Sequence, residues 1–224
     1  MIVGSGLISS GFENVNLNNY IIFASGVSDS NEIDYFKFKR EKDLLIYYLE
    51  NFKNKTLVYF NSIVALNNID TPYFNHKNEL INLIKTYDNY KIYNVPQVFG
   101  KNGNKNNLVN YFVHCLKNKQ RIFIQKETYR SIIDINDLKN IVLKTLKTEY
   151  KILNLAYIEI LTALEILEII SDVYNITPIF TEIESGYSIC SENDEIINEV
   201  LEELNIEKHN YTKLVIEKYG NFKN

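Results

Sequence analysis

Residues 57–81 read LVYFNSIVALNNIDTPYFNHKNELI, and this stretch decides the fold. Its opening belongs to a β-rich run at 56–60 (TLVYF), apolar almost throughout, as a strand buried on both faces requires. The run stops at Asn61-Ser62. Residues 73–87 then carry Leu80, Ile81, Leu83 and Ile84 at helical spacing, which predicts a helix with one buried stripe. A strand, a polar break and an amphipathic helix make one unit of a parallel sheet.

Working outward, the same alternation recurs. Toward the N-terminus lie a helix at 41–52 (Leu44, Leu45, Tyr48 and Leu49 on one side) and a strand at 20–24 that ends in Ser25-Gly26. Before them come a strand at 1–3 and a glycine turn running from Gly4 to Gly11. Toward the C-terminus lie a strand at 91–95 closed by Pro96, a polar loop at 101–107, a helix at 108–116 and a strand at 121–125. A helix at 137–146 and a strand at 151–155 follow. Thr162 and Glu165 have the spacing of a capping box for a helix that runs to Tyr174. Residues 194–204 form a further helix. The pattern predicts an α/β fold whose parallel sheet is covered on both faces, with ligands at the carboxyl ends of the strands.

Two constellations fall at those ends. Gly4, Gly6 and Ser9 follow the first strand as G-x-G-x-x-S. Glycines there let a pyrophosphate approach the backbone, although an ordinary tight turn would look the same. Tyr73 and Lys77 are spaced i, i+4, so they share one helix face. A neighbouring ammonium favours the tyrosinate and lets the phenol exchange protons with a substrate hydroxyl. Three other Tyr-x-x-x-Lys matches occur, at Tyr35/Lys39, Tyr87/Lys91 and Tyr219/Lys223, in a chain with 17 tyrosines. Context selects Tyr73, because a strand ending in Ser62 precedes it and Ser62 can bond the same substrate oxygen.

With these residues in place the chain resembles the extended short-chain dehydrogenase/reductases, the NAD-dependent epimerase/dehydratase branch that works on nucleotide-linked sugars. The stretch 57–81 is similar to their strand–Ser/Thr–Tyr-x-x-x-Lys core. Residues 21–27 (IIFASGV) are similar to the strand that ends beside the cofactor. Residues 93–100 (YNVPQVFG) resemble the R-x-P-N-x-Y-G loop, and residues 130–137 (RSIIDIND) resemble the R-x-x-I-x-V-x-D segment. The resemblance covers about residues 1–175. It implies a Rossmann-like parallel sheet with a small C-terminal substrate lobe, formed by residues 101–130 and 176–224 around a core of 1–100 and about 131–175.

It also implies roles. Tyr73 would be the acid/base, Lys77 would lower its pKa and hold the nicotinamide ribose, and Ser62 would orient the substrate oxygen. Gly4, Gly6, Leu7, Ile8, Ser9, Ala24, Ser25, Gly26 and Pro96, with Tyr73 and Lys77, would line an NAD or NADP site. Gln97 and Arg130 would contact the nucleotide-sugar substrate. For Arg130, a surface ion pair with Asp134 or Asp137 is the alternative. The implied activity is keto-sugar reduction or epimerisation in surface-polysaccharide assembly. Dehydration is disfavoured, because Ile63-Val64 stand where dehydratases of this family place Asp-Glu. A non-catalytic relative that binds a ligand or partner is the competing reading.

One departure shapes the expected fold. Only residues 12–19, polar and rich in Asn, separate the glycine turn from the next strand. The second and third strand–helix units are therefore expected to be missing, and with them the acidic strand tip that holds the adenosine ribose. The first strand should lie near a sheet edge, and an open edge invites a homodimer. The dinucleotide would bind through its pyrophosphate and nicotinamide ends, borrow a wall from a second subunit, or not bind.

Composition narrows the remaining classes. The formal net charge of −4 argues against nucleic acid or an anionic membrane as partner. Two cysteines and three scattered histidines make neither a disulfide framework nor a metal site. The apolar stretch 152–170 is interrupted by Glu159, Glu165 and Glu168, which disqualifies it as a membrane span. The first residues lack a basic, then apolar, leader. A cytoplasmic protein is the expectation.

Overall fold

The computed structural model describes residues 1–101, 107–126, 128–184 and 186–220. Along the chain run β1 (Ile2–Val3), α1 (Leu7–Phe12), β2 (Tyr20–Phe23), α2 (Tyr35–Asn51), β3 (Thr56–Ser62), α3 (Pro72–Ile84), β4 (Tyr90–Val95) and β5 (Gln97–Phe99). Then come α4 (Leu108–Lys117), β6 (Ile122–Gln125), β7 (Tyr129–Arg130), β8 (Ile132–Asp134), α5 (Ile135–Thr145) and β9 (Ile152–Asn154). The chain continues through β10 (Leu161–Thr162), α6 (Ala163–Tyr174), β11 (Phe180–Ile183), α7 (Glu195–Glu203) and α8 (Tyr211–Gly220). Most of the expected polar loop at 101–107 lies outside the described residues.

Five strands form one parallel sheet in the order β1-β2-β3-β4-β9. β1 stands at the edge, and β2 follows it directly in sequence and in space. No strand–helix unit intervenes between them, so the sheet is a Rossmann-like sheet shortened where the sequence departs from the full pattern. Gly4 makes this junction possible. Its φ is +123°, and a Cβ there would lie 2.3 Å from the carbonyl oxygen of Ala24. Only glycine fits a backbone that close in that conformation.

The side chains of β3 show how the sheet is covered. Leu57 and Tyr59 face one way, with Ile21, Phe23 and Ile92 of the flanking strands, and pack on Leu45, Leu49, Leu80 and Ile84 of α2 and α3. Val58 faces the other way, with Ile22 and Tyr93, into a larger core completed by α1, α5 and α6. Both faces are buried, which explains the unbroken apolar run in place of an in–out alternation.

Helix ends follow local chemistry. Thr71 caps α3 by accepting from the Phe74 N–H, with Pro72 at the first helical position. The capping box of Thr162 and Glu165 is present at α6. α2 begins at Tyr35 rather than at residue 41, capped by Asp34. Its first turn carries the exposed aromatics Tyr35 and Phe36, which break the apolar periodicity there. The glycine turn also proves shorter than its sequence suggests. Residues 7–12 are the helix α1, and Gly11 lies inside it against the Ile135 side chain.

β6 pairs in parallel with β11, and β7 pairs antiparallel with β10. α8, unforeseen in the sequence, is tied to the start of α5. Tyr211 donates to Asp137 at 2.6 Å and accepts from the Asp134 N–H at 3.0 Å, and Lys218 donates to Asp134 at 2.6 Å.

Candidate active site

A cleft of about 1110 Å³ opens over the carboxyl ends of β1 to β4. Its floor is built by chain reversals. The turn after β1 brings Gly6, Leu7 and Ile8, and the segment after β2 brings Ala24, Ser25 and Gly26. The tip of β3 brings Asn61 and Ser62, and the end of β4 brings Pro96 and Gln97. Tyr73 and Lys77 enter from α3, and Arg130 and Tyr187 also line the cleft. Nearly every residue singled out in the sequence thus meets in one place. Gly4 and Ser9 are the exceptions. Gly4 packs under Ala24, and the Ser9 hydroxyl is buried and donates to the Gly6 carbonyl at 2.6 Å.

Lys77 does not stand alone behind Tyr73. Its ammonium donates to Glu41 Oε1 at 2.8 Å and to the Tyr59 hydroxyl at 3.3 Å, and lies 5.5 Å from the Tyr73 ring centroid. Glu41, fully buried on α2, accepts from four donors: Lys77, the Tyr59 hydroxyl at 3.1 Å, His76 Nε2 at 3.1 Å and the Val27 N–H at 2.8 Å. Burial by itself would push the Glu41 carboxyl up, but the donors from His76 and Lys77 outweigh it and hold it down to about 2. Burial draws the Lys77 ammonium below its ordinary value, against the pull of Glu41. The Tyr73 phenol is pushed up, first by burial and then by the charges of Glu41 and Asp29.

Beside this network, the tips of three strands carry an amide ladder. Asn61, Asn94 and Asn154 are in register. Asn61 donates to Asn94 at 2.8 Å, and Asn94 donates to Asn154 at 2.7 Å. Asp194 closes the row by accepting from the Asn154 N–H at 2.7 Å. The chain fixes the amide of Asn61 through its nitrogen, so Asn61 Oδ1 stays buried without a hydrogen-bond partner among the described residues.

Arg130 forms neither of the expected ion pairs. Asp134 and Asp137 are taken by α8, while the guanidinium donates to the carbonyls of Tyr129 and Tyr187 and to the Gln125 side chain. All three acceptors are neutral, so a partly buried cation faces the cleft without a carboxylate among these partners.

Glu41 escaped the sequence reading, although a signal existed. It lies four residues before Leu45 and eight before Leu49, on the stripe that the helix buries. A carboxylate on that stripe needs partners, and the Tyr73/Lys77 face supplies them.

Sheet order and a cleft at the strand tips define an α/β protein with a shortened Rossmann-like fold. No known protein-family pattern matches the sequence, and no curated protein matches it. Solved structures do match. UDP-glucose 4-epimerase of Thermus thermophilus, in complex with NAD, superposes with a TM-score of 0.72 at 11% identity, over 97% of this chain and 84% of that one. UDP-N-acetylglucosamine 4-epimerase of Methanobrevibacter ruminantium M1, in complex with UDP-N-acetylmuramic acid, gives 0.66 at 17% identity, over 91% and 76%. RMD of Pseudomonas aeruginosa, complexed with NADPH, gives 0.66 at 11% identity, over 96% and 85%.

Among the described residues, no helix is long and apolar enough to cross a membrane.

Proposed function

We propose that the chain is an NAD(P)-dependent oxidoreductase or epimerase acting on a nucleotide-activated sugar, by keto-sugar reduction or epimerisation, in cytoplasmic assembly of surface polysaccharide. The observation that carries this reading is the meeting of Ser62, Tyr73 and Lys77 with Arg130 and Gln97 around one cleft at the strand tips. A binding module has no use for that set. Tyr73 makes no hydrogen bond among the described residues, so its hydroxyl is not consumed by the fold. Ser62 and Tyr73 would hold the reacting sugar oxygen, and Arg130 the diphosphate of the nucleotide.

The residues fit the inner half of a dinucleotide. A Cβ on Gly6 would meet nothing within 4 Å, so its backbone is open to a pyrophosphate. Gly26 and Pro96 line the cleft on the side of Tyr73, where the nicotinamide end would lie. When bound, the nicotinamide supplies or accepts the hydride. The outer half finds no strand beyond β1 among the described residues to wall it, because β1 is the sheet edge. A homodimer partner would supply one.

The missing wall and the capture of Lys77 by Glu41 favour a second reading, a non-catalytic relative that binds a ligand. The deciding experiment is dinucleotide binding. Purified protein is denatured and assayed by mass spectrometry for released NAD(H) or NADP(H), with titration of added cofactor alongside. A bound or saturable dinucleotide is expected. No binding at millimolar concentration would leave the non-catalytic reading.

A further inference from the structure

The charges around Tyr73 decide which way it can move a proton. An epimerase begins by taking a hydroxyl proton from its substrate, so it needs tyrosinate. A reductase needs only the phenol, which gives its proton to the oxygen of a carbonyl under reduction. The ammonium that would favour tyrosinate is Lys77, and its position is unusual. Its side chain is 4% exposed, paired with a Glu41 side chain that is 0% exposed. The Gly26 backbone closes over both. A Cβ on Gly26 would lie 2.9 Å from Glu41 Oε1 and 3.1 Å from Lys77 Nζ. The ammonium therefore sits in the cleft wall as half of an ion pair, with one further donor spent on Tyr59.

We propose that Glu41 is a positioning residue that holds Lys77 in the wall and cancels its charge at Tyr73. Tyr73 is thereby committed to giving a proton, and the reaction is reduction of a keto-sugar and not epimerisation. This rests on the oxidoreductase reading above and narrows it.

The polar and charged groups around Tyr73 come from α2, α3, β3 and the segment after β2, while Ala65, Val64 and Ile69 add only apolar surface. α2 contributes Glu41, and α3 contributes Lys77 together with His76, whose Nε2 is turned onto Glu41. β3 contributes the neutral Tyr59 phenol, whose own ionisation burial opposes. The segment after β2 contributes Asp29, whose carboxylate opposes ionisation of Tyr73. Lys77 and Glu41 sum to zero; Arg40 of α2 also lines the cleft and donates to the Ser25 carbonyl, but the charges that act on the Tyr73 phenol are those of Glu41 and Asp29, and both oppose its ionisation. An ordinary phenol is already ionised to only about one part in a thousand at neutral pH, and this surrounding lowers that fraction.

In the step, the keto carbon gains a C–H bond from the hydride of a reduced nicotinamide dinucleotide, which leaves oxidised. The carbonyl π pair takes the Tyr73 proton and becomes a hydroxyl. Water in the open cleft returns a proton to the tyrosinate left behind.

The test reads Tyr73 directly, without cofactor or substrate. Protein carrying tyrosine labelled with carbon-13 at Cζ is titrated by NMR, with the Tyr73 resonance identified by its loss in Tyr73→Phe. The wild type should show Tyr73 un-ionised up to pH 10. Glu41→Gln should lower its midpoint by a unit or more. Because that variant strips a buried ammonium of its partner, Glu41→Gln/Lys77→Met provides a neutral pair, and its midpoint should stay within a unit of wild type. A Tyr73 that titrates between pH 6 and 9 in the wild type overturns the proposal. So does a midpoint indifferent to Glu41→Gln in folded protein, or one displaced by more than a unit in the double variant.

With NADH or NADPH present, reduction of UDP-4-keto-6-deoxyglucose should outrun interconversion of UDP-glucose and UDP-galactose at least a hundredfold. Comparable rates contradict the assigned direction. A chain that binds no dinucleotide overturns the oxidoreductase reading and the direction with it, while the titration still decides the role of Glu41.

Discussion

Two lysines are buried among the described residues, and they are held in opposite ways. Lys91 lies on β4, and its ammonium donates to neutral oxygens only. These are the carbonyls of Thr145 at 3.1 Å, Thr148 at 2.7 Å and Tyr150 at 2.7 Å, and the Thr148 hydroxyl at 3.2 Å. They gather where α5 ends, where the helix dipole is negative and carbonyls lack intrahelical donors. Lys77 is instead held by a carboxylate beside a tyrosine that faces the cleft. An ammonium whose task is to pin a helix end to a sheet can be satisfied by carbonyls alone. A full counter-charge next to a phenol proposed to move protons alters what that phenol can do.

The largest break in this contrast should come from Tyr73→Phe. Its hydroxyl makes no hydrogen bond among the described residues, so turnover should fall by about 10² to 10⁴ while the urea midpoint barely moves. Equal turnover would remove Tyr73 from the chemistry. Next comes stability. Lys77→Met leaves Glu41 buried without its cation and should cost about 3–5 kcal/mol. Lys91→Met leaves carbonyls without a donor and should cost about 1–3 kcal/mol. Equal losses in urea denaturation would erase the distinction between the two lysines.

Acid sharpens the same point. Glu41 is held at about 2 in the fold against an ordinary 4.5. Above pH 4.5 both folded and unfolded chains carry the anion, and its stabilisation is complete. As the pH falls from 4.5 toward 2, the unfolded chain takes up a proton that the native one refuses. Stability on the order of 3 kcal/mol is lost over that window. Glu41→Gln should lack this contribution to the acid slope, and an unchanged slope would mean that Glu41 is not the group held down. The smallest effect is expected from Arg130→Gln, which should weaken binding of UDP about tenfold in calorimetry. An unchanged Kd would place the nucleotide elsewhere.

The parts of the molecule that were legible in the sequence are those written as local periodicity. The unbroken run of β3, the apolar stripe of α3, and the short gap between Gly11 and Tyr20 led to the parallel sheet with β1 at its edge. That Tyr73, Lys77 and Ser62 line one cleft was legible because their spacing and their place after a strand put them at the same strand tip. The partners that define the site electrically were not. Glu41, His76 and Tyr59 come from three elements, and no local pattern joins them. The Asn61–Asn94–Asn154 ladder needs the strand register before it exists. α8 was obscured because its buried residues, Tyr211, Val215 and Ile216, make a short apolar stripe, and the polar contacts of Tyr211 and Lys218 with Asp134 and Asp137 that anchor it need the fold before they exist.

The most direct test follows the absorbance of the reduced nicotinamide, with NADH or NADPH and UDP-4-keto-6-deoxyglucose, for wild type and Tyr73→Phe side by side. The account predicts consumption of the reduced dinucleotide by wild type, stoichiometric with alcohol formed, and its near-abolition in the variant. Equal consumption by the two proteins, or none by wild type at millimolar cofactor, would contradict it.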